Sequence, residues 1–383
     1  QTPAAPNRLA DELPITDYPE TTAQNISGTL MADRNAIIDW FGRFLPVGFY
    51  YRAFYKPFGI WHWWERMIRK AAGLGVANLS ASPQYQDKQY LFCDVAVVGA
   101  GPAGLSAALK AAEGGASVLL IDEQPELGGS LTYHRFAIDS SAVRSEGETL
   151  IANVASHPRI KVLTHALCNG WFTDHYLPVI QGDRLFKVRA KSCVLATGSS
   201  EQHVVFRNND LPGVLLCSAL ERLLNHYAVA PQGELVVLAG NDQAWMTALT
   251  AAEAGMSVAA VVDLREVPDD KGLLAEAIAR GITVHMGATV YTARRGARSQ
   301  SLSGVDIHRI DTQGEVGELI AQTDCAVLAM SAGFMPSYQL ACQAGAKLDY
   351  DDDRAAFTLS GLPAGLFLAG SVNSTHSMDA VLA

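Results

Sequence analysis

Residues Cys93-Asp-Val-Ala-Val-Val-Gly-Ala-Gly-Pro-Ala-Gly104 decide the fold, because an apolar strand leads directly into a glycine-rich turn. The turn has the spacing Gly99-x-Gly101-x-x-Gly104, and a helix of small residues is predicted over 105–112. In such turns the first glycine allows the tight bend, the second lets backbone approach a pyrophosphate, and the third lets helix pack on strand. The pattern predicts a dinucleotide-binding βαβ unit.

The segments around this turn supply polar groups suited to the same ligand. A second strand, predicted over 117–121, ends in Asp122-Glu123, and an acid there can accept hydrogen bonds from ribose hydroxyls. The helix N-terminus offers free N–H groups to phosphates. The loop Gly128-Gly129-Ser130 suits packing against phosphate or ribose, and Thr197-Gly198 ends a buried strand on the cofactor side.

A second βαβ unit begins at Glu234 and repeats the architecture without the same chemistry. Gly240 keeps the first glycine position, but Asp242 and Trp245 replace the second and third. A carboxylate repels pyrophosphate, and the Cβ atoms block close backbone approach. This copy is predicted to be structural and to bind no nucleotide.

The chain then returns to the first unit through apolar segments at 324–333 and 366–371. The layout resembles the glutathione- and thioredoxin-reductase class: α/β, two Rossmann-like domains, the second inserted in the first, preceded by an aromatic-rich arm. We predict an arm over 1–90, a discontinuous first domain over 91–203 and 331–383, and a degenerate second domain over 204–330. Both ends of the sequence are interpreted as cut from something longer.

The pair Gly370-Ser371 bears on which dinucleotide is bound. Flavoproteins of this layout carry Gly-Asp here, and the carboxylate holds the ribityl or phosphate part of FAD. Serine lacks that charge, and NAD has no ribityl chain. The substitution favours NAD, with FAD as the alternative.

Composition excludes several classes of function. The net charge of −10 argues against nucleic acid, and no apolar stretch is long enough to span a bilayer. The six cysteines stand singly, which argues against a dithiol reductase and favours reduced thiols in a cytoplasmic protein. No secretory signal or metal-ligand cluster is predicted.

Large aromatic side chains are concentrated between Trp40 and Trp64, just before a helix predicted to begin at Glu65. Such density is typical of a protein interface, since aromatic rings bury much area at low entropic cost. A membrane-surface helix is the alternative. Pro46 and Pro57 interrupt any single amphipathic helix, so an interface with a partner protein is favoured.

Several segments together resemble the alpha subunit of heterotetrameric sarcosine oxidase. Besides the fingerprint and its acid, they are 48–55, 64–75, 127–130, 210–213, 241–245 and 261–265. The resemblance implies NAD in the first domain and FAD and FMN in or with a flavin-bearing beta subunit. It also implies oxidative demethylation of sarcosine, an N-methyl amino acid, in that partner. It implies NAD contacts from Ala103, Asp122, Glu123, Gln124, Ser130, Cys168, Gly370 and Ser371.

Two alternatives stay open. One is an FAD-dependent pyridine-nucleotide oxidoreductase or a subunit of the opine oxidase or cyanide synthase type, which Ser371 argues against. The other is an NAD-stabilised scaffold that only docks a catalytic partner. No catalytic residue is predicted on this chain: His134 and His376 are the histidines nearest the fingerprint, and each is interpreted as a polar loop or cap residue.

Overall fold

The computed structural model describes residues 27–29, 32–44, 48, 54, 56–72, 87–296, 301–352 and 355–375. The chain divides into an N-terminal unit, Gln1–Gln84, and a main unit, Tyr85–Ala383, each described by itself. Described elements of the N-terminal unit are β1 (Gly28–Thr29), β2 (Ala32–Asp33), a 3₁₀ helix (Arg34–Phe44) and α1 (Trp61–Ala71). Helix α1 therefore begins one turn before the predicted Glu65 and includes three tryptophans.

The main unit contains the remaining strands and helices. In chain order they are β3 (Asp87–Val98), α2 (Pro102–Glu113), β4 (Val118–Ile121), α3 (Ser141–Ser156), β5 (Ile160–Leu163), β6 (Leu167–Cys168), β7 (Tyr176–Gln181), β8 (Arg184–Leu195), β9 (Ser199–Glu201), β10 (Val214–Leu216), α4 (Cys217–Glu221), β11 (Leu235–Ala239), α5 (Asp242–Glu253), β12 (Val258–Asp263), α6 (Lys271–Ala279), β13 (Thr283–Met286), β14 (Ala288–Arg295), β15 (Leu302–Ile310), β16 (Val316–Thr323), β17 (Val327–Ser331), β18 (Phe334–Pro336), α7 (Gln339–Gln343), β19 (Lys347–Asp351), β20 (Ala356–Ser360) and β21 (Leu366–Leu368).

The first sheet has the strand order β5-β4-β3-β8-β7-β6, with β21 paired to β8. Strands β3, β4, β5 and β21 run parallel to their neighbours, and β7 closes an antiparallel hairpin with β8. Because β21 follows the whole second domain in sequence, the first sheet is completed only after the chain returns to it. Short 3₁₀ turns at Gly129–Thr132 and Gly370–Asn373 follow β4 and β21.

The second sheet is parallel, with the order β10-β17-β11-β12-β13. A three-stranded antiparallel sheet, β14-β15-β16, lies between β13 and β17 in the chain. The two chain crossings between the domains, β9 and β18, pair antiparallel with each other. The structure confirms the predicted α/β fold with two Rossmann-like units. The domain boundaries stay a prediction; β3 begins at Asp87, within the predicted arm.

The central strands of both sheets are covered on both faces, which explains why β4 and β11 are continuously apolar. In β4, Leu119 and Ile121 pack into one cluster, while Val118 and Leu120 pack into the cluster beneath α2 and α3. Strand β11 alternates between two clusters in the same way. This burial fixes the ends of β3 and β4, and therefore the glycine turn between β3 and α2.

Candidate functional site

The three fingerprint glycines have three different surroundings. Gly99 has φ +101°, and a Cβ there would overlap the carbonyl of Ala196. A Cβ at Gly104 would overlap the carbonyl of Gly99, so this glycine lets α2 press against the turn. A Cβ at Gly101 would meet no atom within 4 Å. Two glycines are thus required by packing, and the third faces open space.

That open space lies at the N-terminus of α2. Gly101 is the N-cap of α2 and has no side chain that could cap the helix. Pro102 is the first helical residue, and the first turn contains no acidic residue. Pro102 has no N–H, and the next free N–H groups belong to Ala103 and Gly104. Uncapped N–H groups with the helix dipole behind them form an anion site.

Asp122, just after β4, lies beside the turn. One carboxylate oxygen accepts the N–H of Ala100, and the other accepts the N–H of Gln124 at 2.8 Å. Burial raises the pKa of Asp122, and the two N–H donors oppose that rise. Glu123 and Gln124 are exposed at the rim. Each Asp122 oxygen retains a lone pair for a ribose hydroxyl.

Two segments predicted from sequence flank the N-terminus of α2. Gly129, at φ +53°, lies so close that a Cβ would be 2.8 Å from the Cα of Gly101. Gly370, at φ +75°, would place a Cβ 2.6 Å from the Cβ of Ala103. Ser130 and Ser371 follow these glycines and line the same cavity.

Thr197, Gly198 and Cys168 also line this cavity. The Thr197 hydroxyl donates to the carbonyl of Ser337 at 2.8 Å, and a Cβ at Gly198 would meet no atom within 4 Å. The Cys168 thiol donates to the carbonyl of Gly170, and burial raises its pKa to about 11. Cys168 is therefore a packing residue at the wall, since a nucleophilic cysteine requires a thiolate.

The cavity has a volume of about 1380 Å³, and every predicted site residue except Gly104 lines it. Gly104 is hidden beneath the turn. The cavity continues onto the second domain, where its walls include Ser218, Arg222, His226, Tyr227 and Gln243. Ligand pockets commonly span ~300–1,000 Å³. The site is therefore a large cleft at the joint of the two domains.

In the second unit the acid at the end of the second strand, Asp263, is buried among protein groups. Trp245 is fully buried, and its Nε1 donates to Asp263 at 2.6 Å. Arg265 donates from Nε and Nη2 to the same buried carboxylate and forms an ion pair with Asp242 at 2.9 Å. Asp242 also accepts the N–H of Asp270 at 2.8 Å. Asp263 ends β12 as Asp122 follows β4, so it is the acid that corresponds to Asp122. Both of its carboxylate oxygens already accept internal hydrogen bonds.

The structure reveals a pair of residues that sequence analysis missed. His134 was interpreted as a loop residue, but its Nδ1 hydrogen-bonds the carboxylate of Glu221, which is 0% exposed. Glu221 lies on α4 of the second domain, 87 positions away, and no sequence motif joins the two. His376 lies outside the described residues.

Two further findings concern the described part of the chain. Its cysteines, six in all, carry free thiols, and its His, Cys, Asp and Glu side chains form no group of three suited to a metal ion. Among the helices found there, none combines the length and apolar character needed to cross a membrane.

Residues 93–380 match the family described as pyridine nucleotide-disulphide oxidoreductase. The chain is similar to the sarcosine oxidase alpha subunit of Rhizobium meliloti (strain 1021), with 33% identity covering 99% of this chain and 38% of that protein. An opine oxidase subunit of Agrobacterium tumefaciens (strain Ach5) is 26% identical, covering 70% of this chain and 57% of that protein. The chain spans about a third of the length of the sarcosine oxidase subunits it matches.

Among solved structures, thioredoxin reductase from T. acidophilum is similar in fold, with a TM-score of 0.59 and 20% identity. The match covers 76% of this chain and 94% of that one. At this identity the likeness concerns the fold alone. The matches confirm the resemblance to sarcosine oxidase alpha subunits and indicate a dinucleotide cofactor.

Proposed function

This chain belongs to the pyridine nucleotide-disulphide oxidoreductase family, and we propose that its first βαβ unit binds NAD as the nucleotide-binding part of an oxidoreductase subunit. The observation that carries this proposal is the contrast among the three glycines. Gly99 and Gly104 are closed by backbone, whereas the Cβ direction of Gly101 opens into the cavity. If the turn served only packing, a side chain would be tolerated at Gly101, because no protein atom lies within 4 Å of a Cβ there.

The residues present fit a dinucleotide along the length of the cleft. The adenosine ribose would lie at Asp122, the pyrophosphate at Gly101 and Ala103, and the second half beyond Ser130 and Ser371. NAD supplies hydride-accepting chemistry when bound. The chain's own residues bind and orient it: N–H groups meet phosphate charge, and the carboxylate meets ribose hydroxyls.

Ser371 favours NAD over FAD at the far end of the cleft. Its side chain is uncharged, so it gives a ribityl chain no charged acceptor. FAD is the second candidate, because the fold is shared with proteins such as a flavoprotein disulfide reductase from Escherichia coli. That likeness is at 17% identity and concerns the fold alone.

Release of the bound nucleotide by denaturation, followed by absorbance and mass measurement, tests the choice. We expect a colourless protein that releases NAD. Stoichiometric FAD from a yellow protein would contradict the NAD proposal. Absence of any nucleotide, together with no NAD or FAD binding in a titration, would contradict the dinucleotide site itself.

We further propose that the chain is part of a sarcosine oxidase-like complex. In this proposal a small amine is oxidised in a partner beta subunit that carries FAD and shares FMN, and this chain contributes no catalytic residue. The alignment with the named alpha subunits over most of this chain supports the proposal. Activity that appears only on co-expression with such a partner is expected. An unchanged rate after loss of bound nucleotide would identify the chain as a scaffold.

The cytoplasmic location stays a prediction.

The aromatic segment is proposed to contact that partner. Of its described rings, Trp40 is 83% exposed and Trp63 55% exposed, while Trp64 packs against Phe54 with ring centroids 4.3 Å apart. The rings at 49–51 and 55 lie outside the described residues. Isolated exposed rings are ordinary, but several on neighbouring turns form a surface that favours association.

Replacing Trp61, Trp63 and Trp64 with alanine tests this surface. We expect assembly with the partner to weaken by several kcal/mol, since tryptophan hot spots cost about 2 kcal/mol or more each. Nucleotide content should stay the same, because the fingerprint belongs to the main unit. Normal assembly of the triple variant, or binding of the wild-type chain to anionic vesicles instead, would contradict the interface.

A further inference from the structure

A strap of the first domain, residues 133–138, is fastened onto the second domain. The Tyr133 carbonyl accepts from Asn225 at 2.6 Å, and Arg135 forms an ion pair with Glu253 at 2.6 Å. Ile138 packs against the core cluster of the second domain. The strap directly follows the 3₁₀ turn that flanks the N-terminus of α2, so it joins the nucleotide site to the neighbouring domain.

At the centre of the strap, His134 meets a carboxylate whose position is fully determined. Both oxygens of Glu221 are engaged: one accepts from Gln243 and Thr247, each at 2.9 Å, and the other hydrogen-bonds Nδ1 of His134. Glu221 is buried with no exposure. A buried carboxylate held by this many partners cannot turn away from the imidazole, so it fixes the ring's orientation.

The opposite edge of the His134 ring is free. Among the described residues, Nε2 of His134 has no hydrogen-bond partner. It is also not a buried atom, since it is absent from the buried side-chain atoms that lack a partner. His134 also lines the large cavity. Nε2 is therefore an accessible polar atom on the cavity wall.

The bond to Glu221 determines what Nε2 offers. Gln243 Nε2 lies 3.2 Å from Nδ1 but donates to the other oxygen of Glu221 at 2.9 Å. A carboxylate only accepts, so in the closer contact with Glu221 Nδ1 carries the proton of the neutral ring, and Nε2 is left with an unshared electron pair. A hydrogen-bond acceptor in the wall of a ligand cleft selects a ligand with an N–H or O–H at that point.

We propose that His134 is a binding residue for the half of the dinucleotide beyond the pyrophosphate, accepting an N–H or O–H through Nε2, and that Glu221 of the second domain is its positioning residue. This inference rests on the proposed dinucleotide site. It gives the degenerate second domain a function: it supplies the group that orients a ligand contact in the first domain.

Asparagine at position 134 separates the two edges of the ring. In His134→Asn the amide nitrogen takes the place of Nδ1 and can still donate to Glu221, while nothing takes the place of Nε2. Affinities of the nucleotide-free full chain for NAD and for ADP, which lacks the second half, are compared by calorimetric titration. We expect NAD to bind about three- to tenfold more weakly and ADP to bind unchanged.

Glu221→Gln tests the positioning role. The new amide can donate to Nδ1, which turns Nε2 into a donor, so the affinity ratio of NAD to ADP should again fall. Asn225→Ala is the control, because it removes a strap hydrogen bond and leaves the His134–Glu221 pair intact. It should leave the ratio unchanged.

An NAD to ADP ratio that stays at the wild-type value in His134→Asn would overturn the inference, as would an equal loss for both ligands. The same comparison with FAD in place of NAD applies if the chain carries FAD. If the wild-type chain binds none of NAD, FAD and ADP, the proposed dinucleotide site itself is wrong. Failure of the proposed function can therefore be distinguished from failure of the inference about His134.

Discussion

The two βαβ units of this chain share a backbone plan and differ in what occupies the space above the glycine turn. In the first unit that space is open at Gly101, and Asp122 retains acceptor capacity toward a cavity. In the second, Asp242 stands at the position of Gly101, and Trp245 and Arg265 donate to Asp263. The comparison teaches that protein groups can replace a ligand as partners of the acid after the second strand. Here an indole and a guanidinium are the replacement, because both donate to Asp263.

The largest expected effect comes from removing that replacement. Trp245→Ala should lower the free energy of unfolding by about 3–5 kcal/mol, since it leaves a cavity in a closed core and removes one of the hydrogen bonds that Asp263 accepts. Urea unfolding measures the loss. Nucleotide content should be unchanged, because Arg265 and Asp242 still fill the turn. A second equivalent of bound nucleotide in this variant would break the comparison.

A side chain at Gly101 should close the first site as the second is closed. Gly101→Val is expected to weaken NAD binding about 100-fold or more, because the branched side chain occupies the space of the pyrophosphate. The fold should tolerate it, since a Cβ there meets no atom within 4 Å. Retained nucleotide and the melting temperature are the two measurements.

Gly240→Ala is the control in the second unit, at the position equivalent to Gly99. Its Cβ would lie 3.1 Å from the Cα of Ala332, so some stability is lost, but nucleotide content should not change. If Gly101→Val keeps its nucleotide, the open glycine is not the phosphate site.

Asp122→Asn should weaken NAD binding about tenfold, because hydrogen bonds to an ionised carboxylate are worth ~1.5–3 kcal/mol and the amide keeps only part of that. Glu123→Gln, an exposed neighbour, should have a smaller effect. Calorimetric titration of both variants compares them. Equal losses would mean that Asp122 has no special contact with the ribose.

The smallest effect concerns pH. Burial raises the pKa of Asp122 in the folded state above its unfolded value, near ~3.9. The stability that protonated Asp122 contributes is therefore fully present below the unfolded pKa and is lost as pH rises through the folded pKa. The unfolding free energy of wild type minus that of Asp122→Asn should therefore be greatest in acid and fall as pH increases. Urea unfolding across about pH 3–7 tests this. A constant difference would contradict it.

Sequence analysis succeeded where the determinants are local. A glycine turn needs its three residues within one short stretch, and the apolar runs around it predict strands buried on both faces. That Asp242 and Trp245 exclude a phosphate stays a prediction. How these residues fill the site, through Asp263 and Arg265, depends on strand register that sequence alone does not fix.

The His134–Glu221 pair could not be found in the same way. The two residues belong to different domains, and they meet only because the strap crosses the joint. Helix α1 shows a smaller failure: its aromatic first turn resembles a loop in composition, whereas the structure extends the helix to Trp61. Contacts between distant segments and helix starts without a capping side chain are both weakly encoded in local sequence.

The crossing formed by β9 and β18 has an evolutionary consequence. The inserted domain enters and leaves the first domain at one point, where the N–H of Gln202 donates to the carbonyl of Gly333 at 2.8 Å. Because the two ends of the inserted domain lie this close together, the domain can be inserted without distorting the backbone of the first domain. Substitutions confined to the inserted domain, such as a tryptophan at position 245, therefore need not disturb the backbone of the fingerprint in the first domain.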